Sequence, residues 1–495
     1  MIPKKYKFFF LASIIALSIY NKQTYAQGSG DPLTIQGINH MVLHSAASRA
    51  MGGTTIGIEG DAGLMFTNPA LLQTIDNLQI SIGGLQQYSK IKQIQQYTPL
   101  KYYSNFSLLM EGLTGYIPDP DSLHPGSNPG DTVQRPFDTI GPNWSRSENH
   151  SLPIQAVLSV PFSINEKKFT FGLGTVEYAD LNHYYQNNNV IFPSIGTERP
   201  VPIQLPPNNP DSTIPVKWYQ YYRSREGSIR GYGAAISGAI SDKIHVGISG
   251  MFLSGSTDDF QYYQGRGKLV FFYNYFRLDS VYYKISEKGK SDYSGQEFTL
   301  SAIYRGTFLS LGFSVKPPTK ITREYETDLQ VDTTGTPSIS RVSGKDHIKL
   351  PWRGMIGLTI KPMENIIFGM EYEIRPYSSA VYSLENGTTS NPWLSSSLIR
   401  LGVEFRPLSW FSLRSGMRGE AEVFEPAGNP IVGEPVTYTV YSIGGGVSYS
   451  NFRFNLTYEY QLMKYQDMWQ TNVNLNSEKR HCVVLDVNYS LPRFW

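Results

Sequence analysis

One cysteine, Cys482, is all that the 495 residues contain. A disulfide framework and any cysteine-based metal site are thereby excluded. Charge is also scarce. Asp, Glu, Lys and Arg make up 17% of the chain, against about 25% in typical soluble domains. Neither sign dominates, since 43 basic residues face 41 acidic ones for a net charge of +2. Without a basic excess there is no broad face to neutralise phosphates, which argues against a nucleic-acid partner. The eight histidines are scattered, with no HExxH or other paired spacing, so no metal site or cofactor is expected. Beyond the N-terminus no stretch reaches the ~18 consecutive apolar residues that a membrane-spanning helix needs.

What the chain does have is tyrosine (34 residues), glycine (45) and an aromatic content of 13%. A polar average with many Tyr, Gly and Ser suits a wall with one lipid face and one wet face. It equally suits a secreted β-sandwich array, and composition leaves both open. The first residues narrow the setting. Lys4, Lys5 and Lys7 precede an apolar run over 8–19, and Thr24-Tyr25-Ala26 ends in a small residue. This is the layout of a secretory signal peptide, too short to span a membrane, with cleavage expected after Ala26.

The recurring unit is a pair of alternating segments joined by a few polar residues. Residues 154–160 and 169–173 flank Asn165-Glu166-Lys167-Lys168. Five more pairs follow: 232–240 with 244–252, 298–304 with 309–315, 352–360 with 366–374, 399–405 with 411–417, and 441–449 with 452–460. Period-two alternation is the strand signature, and the short polar joints make each pair a hairpin. With single strands at 78–84 and 483–489 the total is about fourteen, and the first and last can pair to remove both sheet edges. The connections between hairpins are long and polar; the first, over 89–151, includes a possible short helix near 106–113. Short turns at one end and long loops at the other is the layout of outer-membrane barrels. The expected fold is therefore all-β: an antiparallel transmembrane barrel in the outer membrane of a Gram-negative bacterium, over residues 77–495.

Alternation also assigns faces. With apolar side chains toward lipid, the lumen receives Arg353, Glu371, Glu373, Arg400, Glu404, Arg414, Arg418, Arg453, Glu459 and Asp486. Two readings stay open for the arginines 353, 400 and 414: binding an anionic group, or a structural ion-pair network, the commoner outcome for enclosed charges. Glu371 and Glu373 share a face, yet nothing beside them supplies a nucleophile or metal, so no enzymatic role is expected. The last strand ends at Trp495. A terminal aromatic there resembles the C-terminal signal read by the barrel-assembly machinery; it also suits an interfacial aromatic among membrane lipids.

The most specific stretch precedes the first strand: Ser48-Arg49-Ala50-Met51-Gly52-Gly53, then Asp61-Ala62-Gly63, then Asn68-Pro69-Ala70-Leu71. Small residues permit close backbone packing, and a segment of this kind over 27–76 can fill a lumen too wide for wall side chains alone. This run resembles the N-terminal hatch of the FadL-like long-chain fatty-acid transporters. The resemblance implies a fourteen-stranded barrel plugged by a hatch, with Asn68, Pro69 and Ala70 as its turn. It implies passive transport of hydrophobic small molecules that leave sideways at a kink in the third strand, where Gly172 and Gly174 are the candidates. The same motif occurs in PorV-like proteins of type IX secretion, which would make a secretion-system component the partner. The first two loops, rich in Pro and Asn, do not read as a pair of apolar helices.

Overall fold

A computed structural model describes residues 37–40, 42–95, 119–120, 143–192, 214–271, 275–279, 283–332, 335–426, 431–469 and 472–491. The expected signal peptide, the helix near 106–113 and Trp495 lie outside the described residues. Within them, fourteen strands form one closed antiparallel wall. In chain order they are β1 (Leu78–Gln95), β2 (Trp144–Ile164), β3 (Lys167–Asp180), β4 (Ile214–Ser241), β5 (Ile244–Phe271), β6 (Lys284–Arg305) and β7 (Leu309–Lys316). There follow β8 (Arg353–Met363), β9 (Ile366–Arg375), β10 (Ser396–Leu408), β11 (Phe411–Ala421), β12 (Thr437–Tyr449), β13 (Phe452–Trp469) and β14 (Asn472–Leu491). Each pairs with the next, and β1 pairs with β14 from Leu78↔Leu491 to Gln95↔Asn474. That last ladder closes the ring of the fourteen wall strands. Among the described residues no helix is long and apolar enough to cross a membrane.

The wall is apolar outside and polar inside because alternation holds strand after strand. On β9, Phe368, Met370 and Tyr372 are exposed while Glu371 and Glu373 are each 1% exposed. On β13, Phe454, Leu456 and Tyr458 point out, and Asn455, Thr457 and Glu459 are buried. A surface so apolar would be unstable in water and is stable in lipid. Exposed aromatics bracket the band. Tyr449 and Trp410 lie beside the short turns, and Tyr441 and Trp352 lie toward the other end. Tyr441 and Tyr449 share a strand, roughly 20 Å apart along the barrel axis at ~3.3 Å per residue and ~40° tilt.

The short turns follow from local chemistry. Asn165 and Glu166 both take positive φ (48° and 65°), the backbone of a two-residue hairpin. At the opposite end β4, β5 and β6 run far past the apolar band. They are joined by a hairpin of Thr319–Asp332 with Ser338–Leu350, whose first strand pairs with β6, and by His183–Phe192, which pairs with β4. The long connections are thus partly sheet.

Candidate functional site: the lumen and its inner segment

Residues 42–76 lie inside the barrel. Ser45 accepts from the Ser48 amide and starts α1 (Ala46–Ala50); Gly52 and Gly53, with φ of 66° and 88°, end it. Asp61 accepts from the Gly63 amide at 2.9 Å and caps a short 3-10 turn, Ala62–Leu64. Asn68 precedes the second, Pro69–Thr74; Pro69 suits its first position because it has no amide to satisfy there. The whole run is buried because it is small. Wall glycines receive it: a Cβ on Gly247 would lie 2.5 Å from the Ala70 amide nitrogen, and one on Gly402 would lie 2.2 Å from the Met51 carbonyl oxygen. Any side chain at either place would push the segment off the wall.

Polar bonds complete the seat. The Ala70 amide donates to Ser301 Oγ at 2.8 Å, and the Ala46 amide to Asp486 Oδ2 at 2.7 Å. Asn68 is fully buried, its amide 3.4 Å from Thr55 Oγ1.

Of the ten charged residues expected in the lumen, nine are buried and Arg453 is half-buried. Glu371 accepts from the Thr55 and Ile56 amides at 2.5 and 3.0 Å. Glu373 is shared by Arg375, at 2.6 Å, and Arg400; Arg400 also donates to the Gly53 carbonyl at 3.0 Å. Glu404 takes both Arg406 and Arg414 at 2.5 Å, and Arg414 donates on to Asn455 at 2.9 Å. Arg353 meets Glu297 at 2.6 Å, and Glu297 also accepts from Lys316 and the Tyr178 hydroxyl. Five of the ten, Glu371, Arg400, Arg453, Glu459 and Asp486, join the wall to the inner segment directly.

Sequence reasoning missed Glu297, Arg375, Glu420 and the inner-segment cations. Arg49 pairs with Glu459 at 2.7 Å. His40 lies 3.6 Å from Glu420 and 3.4 Å from Glu422. Burial opposes its imidazolium, but the two carboxylates outweigh that and raise it to about 9. His44 is the opposite case. Burial pushes it down to about 4, and its Nε2 donates to the Glu177 carbonyl at 2.6 Å. Glu297 had a usable signal, since it alternates with the lipid-facing Phe298. Arg49 and the two histidines had none, because the inner segment has no regular period.

Gly172 and Gly174 were the expected kink. Gly172 faces inward, where a Cβ would meet Met65 Sδ at 3.2 Å. The register of β3 runs unbroken through both glycines on both sides. The irregularity lies farther along, between Glu177 and Ala179, where Tyr178 is the extra residue. A matching shift in β1 and β2 falls at Gly83/Gly84, opposite Ile154. Between these two bulges the ladder of β2 with β3 ends, at Gln155↔Val176. Beyond it β2 stays on β1 as far as Trp144, and β3 follows β4. The wall therefore has a seam, beginning roughly 20–25 Å above the Asn165-Glu166 turn. Contacts across it are made by side chains: Asn182 Nδ2 to His150 Nε2 at 3.1 Å, and Arg230 to the Pro153 carbonyl at 3.0 Å.

A cavity of about 700 Å³ lies between the seam and the inner segment. Leu43, Leu85, Leu152 and Ile154 line its seam side; Arg418, Glu420, Glu422, Tyr438 and Arg480 line the other. A smaller one, about 240 Å³, sits at the short-turn end beside Glu59, Arg406 and Trp410.

No family model and no curated protein matches the sequence. Solved structures do match its fold. A Pseudomonas aeruginosa FadL homologue gives a TM-score of 0.56 at 13% identity, covering 94% of this chain and 100% of that one. The P. putida toluene transporter TodX gives 0.55 at 13% identity, covering 91% and 100%. The CymD monoaromatic hydrocarbon channel gives 0.53 at 12% identity, covering 92% and 100%. Closed wall, lipid-facing band and these likenesses agree: the chain is an outer-membrane β-barrel with the FadL-like fold.

Proposed function

We propose that this barrel is a passive outer-membrane channel for hydrophobic small molecules of the long-chain fatty-acid type, with residues 42–76 as its hatch. The observation that carries the reading is the coincidence of cavity and seam. A cavity large enough for a small ligand opens toward the place where the wall strands β2 and β3 part. An apolar molecule entering from the long-loop end would rest against Leu85, Leu152 and Ile154, then leave through the seam toward lipid. Burying apolar surface drives the first step at ~25 cal/mol per Å², and the concentration gradient suffices for the second. The names of the similar structures, a toluene transporter and a hydrocarbon channel, point the same way. The test is uptake of a labelled long-chain fatty acid and a panel of apolar compounds by cells with and without the gene. Faster entry with the gene supports the channel; equal entry across the panel overturns it.

The sheet that β4, β5 and β6 carry past the band favours a second reading, a partner-binding barrel such as a secretion-system component. Pull-down from membranes would then recover a translocon or cargo domain, and recovery of the barrel alone would dismiss it.

A further inference from the structure

On the outside of the wall, β13, β14 and β1 carry a patch of one charge sign. Lys464 on β13 shares the outward face of Leu456 and Tyr458; Lys479 on β14 that of Val483 and Leu485; Lys90 and Lys92 on β1 that of Ile82 and Tyr88. Lys90 is half-buried and the other three are exposed. The ladders set them side by side. Lys90 is directly opposite Lys479, and Ser477 lies between Lys92 and Lys464. With strands ~4.8 Å apart, the patch is roughly 10 Å wide. The outward residues around it, Leu462, Gln466, Leu475, Ser145 and Ser147, add no acid. Among the described residues none of the four lysines has an ion pair; Lys479 lies 6.0 Å over the Tyr460 ring. Outward cations on β6 and its hairpin differ: Lys290, Arg341 and Lys345 are matched by Asp258, Glu326 and Glu324.

Height says what this patch meets. From Phe452, beside the short turn, ten residues of β13 lead to Leu462, opposite Lys479. That is ~25 Å along the barrel axis, the full height of an apolar band. The lysines therefore stand at the outer rim, over a row of rings: Tyr88, His481 and Tyr460 are consecutive cross-strand neighbours. Snorkelling accounts for a lysine at this height. It does not account for two set face to face, which repel. An anion between them turns that repulsion into a bridge.

We propose that this face binds a phosphorylated lipid of the outer leaflet whose head carries two phosphates. One phosphate lies between Lys90 and Lys479, and Lys92 and Lys464 reach the other. The acyl chains run down Leu456, Val483, Leu485 and Ile82, all exposed on the same face. Each lysine beside an anionic head is worth about fivefold in affinity.

The test is native mass spectrometry of the full chain in nonionic detergent at pH 7. The probes are a hexa-acylated glucosamine disaccharide bearing two phosphates, the same lipid after phosphatase treatment, and phosphatidylglycerol. The expected result is that the doubly phosphorylated lipid binds at least tenfold tighter than either other probe. Lys90→Gln with Lys479→Gln should abolish that lead, at an unshifted thermal melt. Lys167→Gln with Lys243→Gln, which removes equal charge at the short-turn end, should keep it. Pyrophosphate in large excess should leave the lipid bound. Equal binding of the three lipids, equal loss in both double variants, or displacement by pyrophosphate would each overturn the proposal.

Discussion

At the residue scale, the lumen is held by charges that have no water to fall back on. Arg400 is 1% exposed and serves two masters, the wall through Glu373 and the inner segment through the Gly53 carbonyl. Arg400→Met leaves that carbonyl without its donor and Glu373 with Arg375 alone. The expected loss is ~1.5–3 kcal/mol, the usual worth of a charged hydrogen bond when the carboxylate keeps its second cation, read as a lower urea midpoint in detergent. His40 makes the inner segment pH-dependent. Its folded value of about 9 lies above the ordinary 6.5, so the stability it adds is fully present below pH 6.5 and is lost as pH rises through about 9. The total is at most ~3 kcal/mol. The protection of amides 42–45, measured against the unprotected exchange rate at the same pH, should therefore fall between pH 7 and 10 in the native chain and stay level in His40→Ala. An identical pH profile in the variant would assign the effect elsewhere.

At the element scale, the apolar band is where the sequence was most legible. All fourteen wall strands carry a period-two pattern in their lipid-crossing part, since one side of each must be apolar and the other polar. The pattern stops where the strands leave the membrane. Over 286–292 on β6 no residue is apolar, so no alternation marks the strand, and it continues unannounced. The seam was legible only in part. Glycine marked β3 as unusual, yet the irregularity is set by Tyr178, whose side chain turns in and donates to Glu297 at 2.9 Å. Nothing local to β3 records a partner on β6. Tyr178→Phe keeps the ring and removes that bond, worth ~1 kcal/mol. Amides 177–180 should then exchange about fivefold faster, with exchange in β9 and β10 unchanged. A uniform change across the barrel would mean that Tyr178 supports the whole wall and not the bulge.

At the scale of the whole molecule, the account turns on an inner segment seated against the wall by glycines, amides and ion pairs, under a cavity that meets a seam. If that segment must shift for cargo to pass, tethering it should stop flux. Thr54 Cβ lies 3.2 Å from where a Cβ at Gly369 would be, close to the ~3.5–4.5 Å of a disulfide. Thr54→Cys with Gly369→Cys should pass cargo when reduced and lose at least tenfold when oxidised; equal flux in both states would place the gate away from β9. The central claim, a passive conduit for apolar or amphiphilic small molecules, is met most directly by one measurement. That is the entry of labelled 1-decanoylglycerol, toluene and oleate into vesicles reconstituted with the full chain and no energy source. The account predicts entry of at least one probe that rises in proportion to protein and falls at least tenfold in Leu152→Trp. Entry no faster than into protein-free vesicles, for all three, would contradict it.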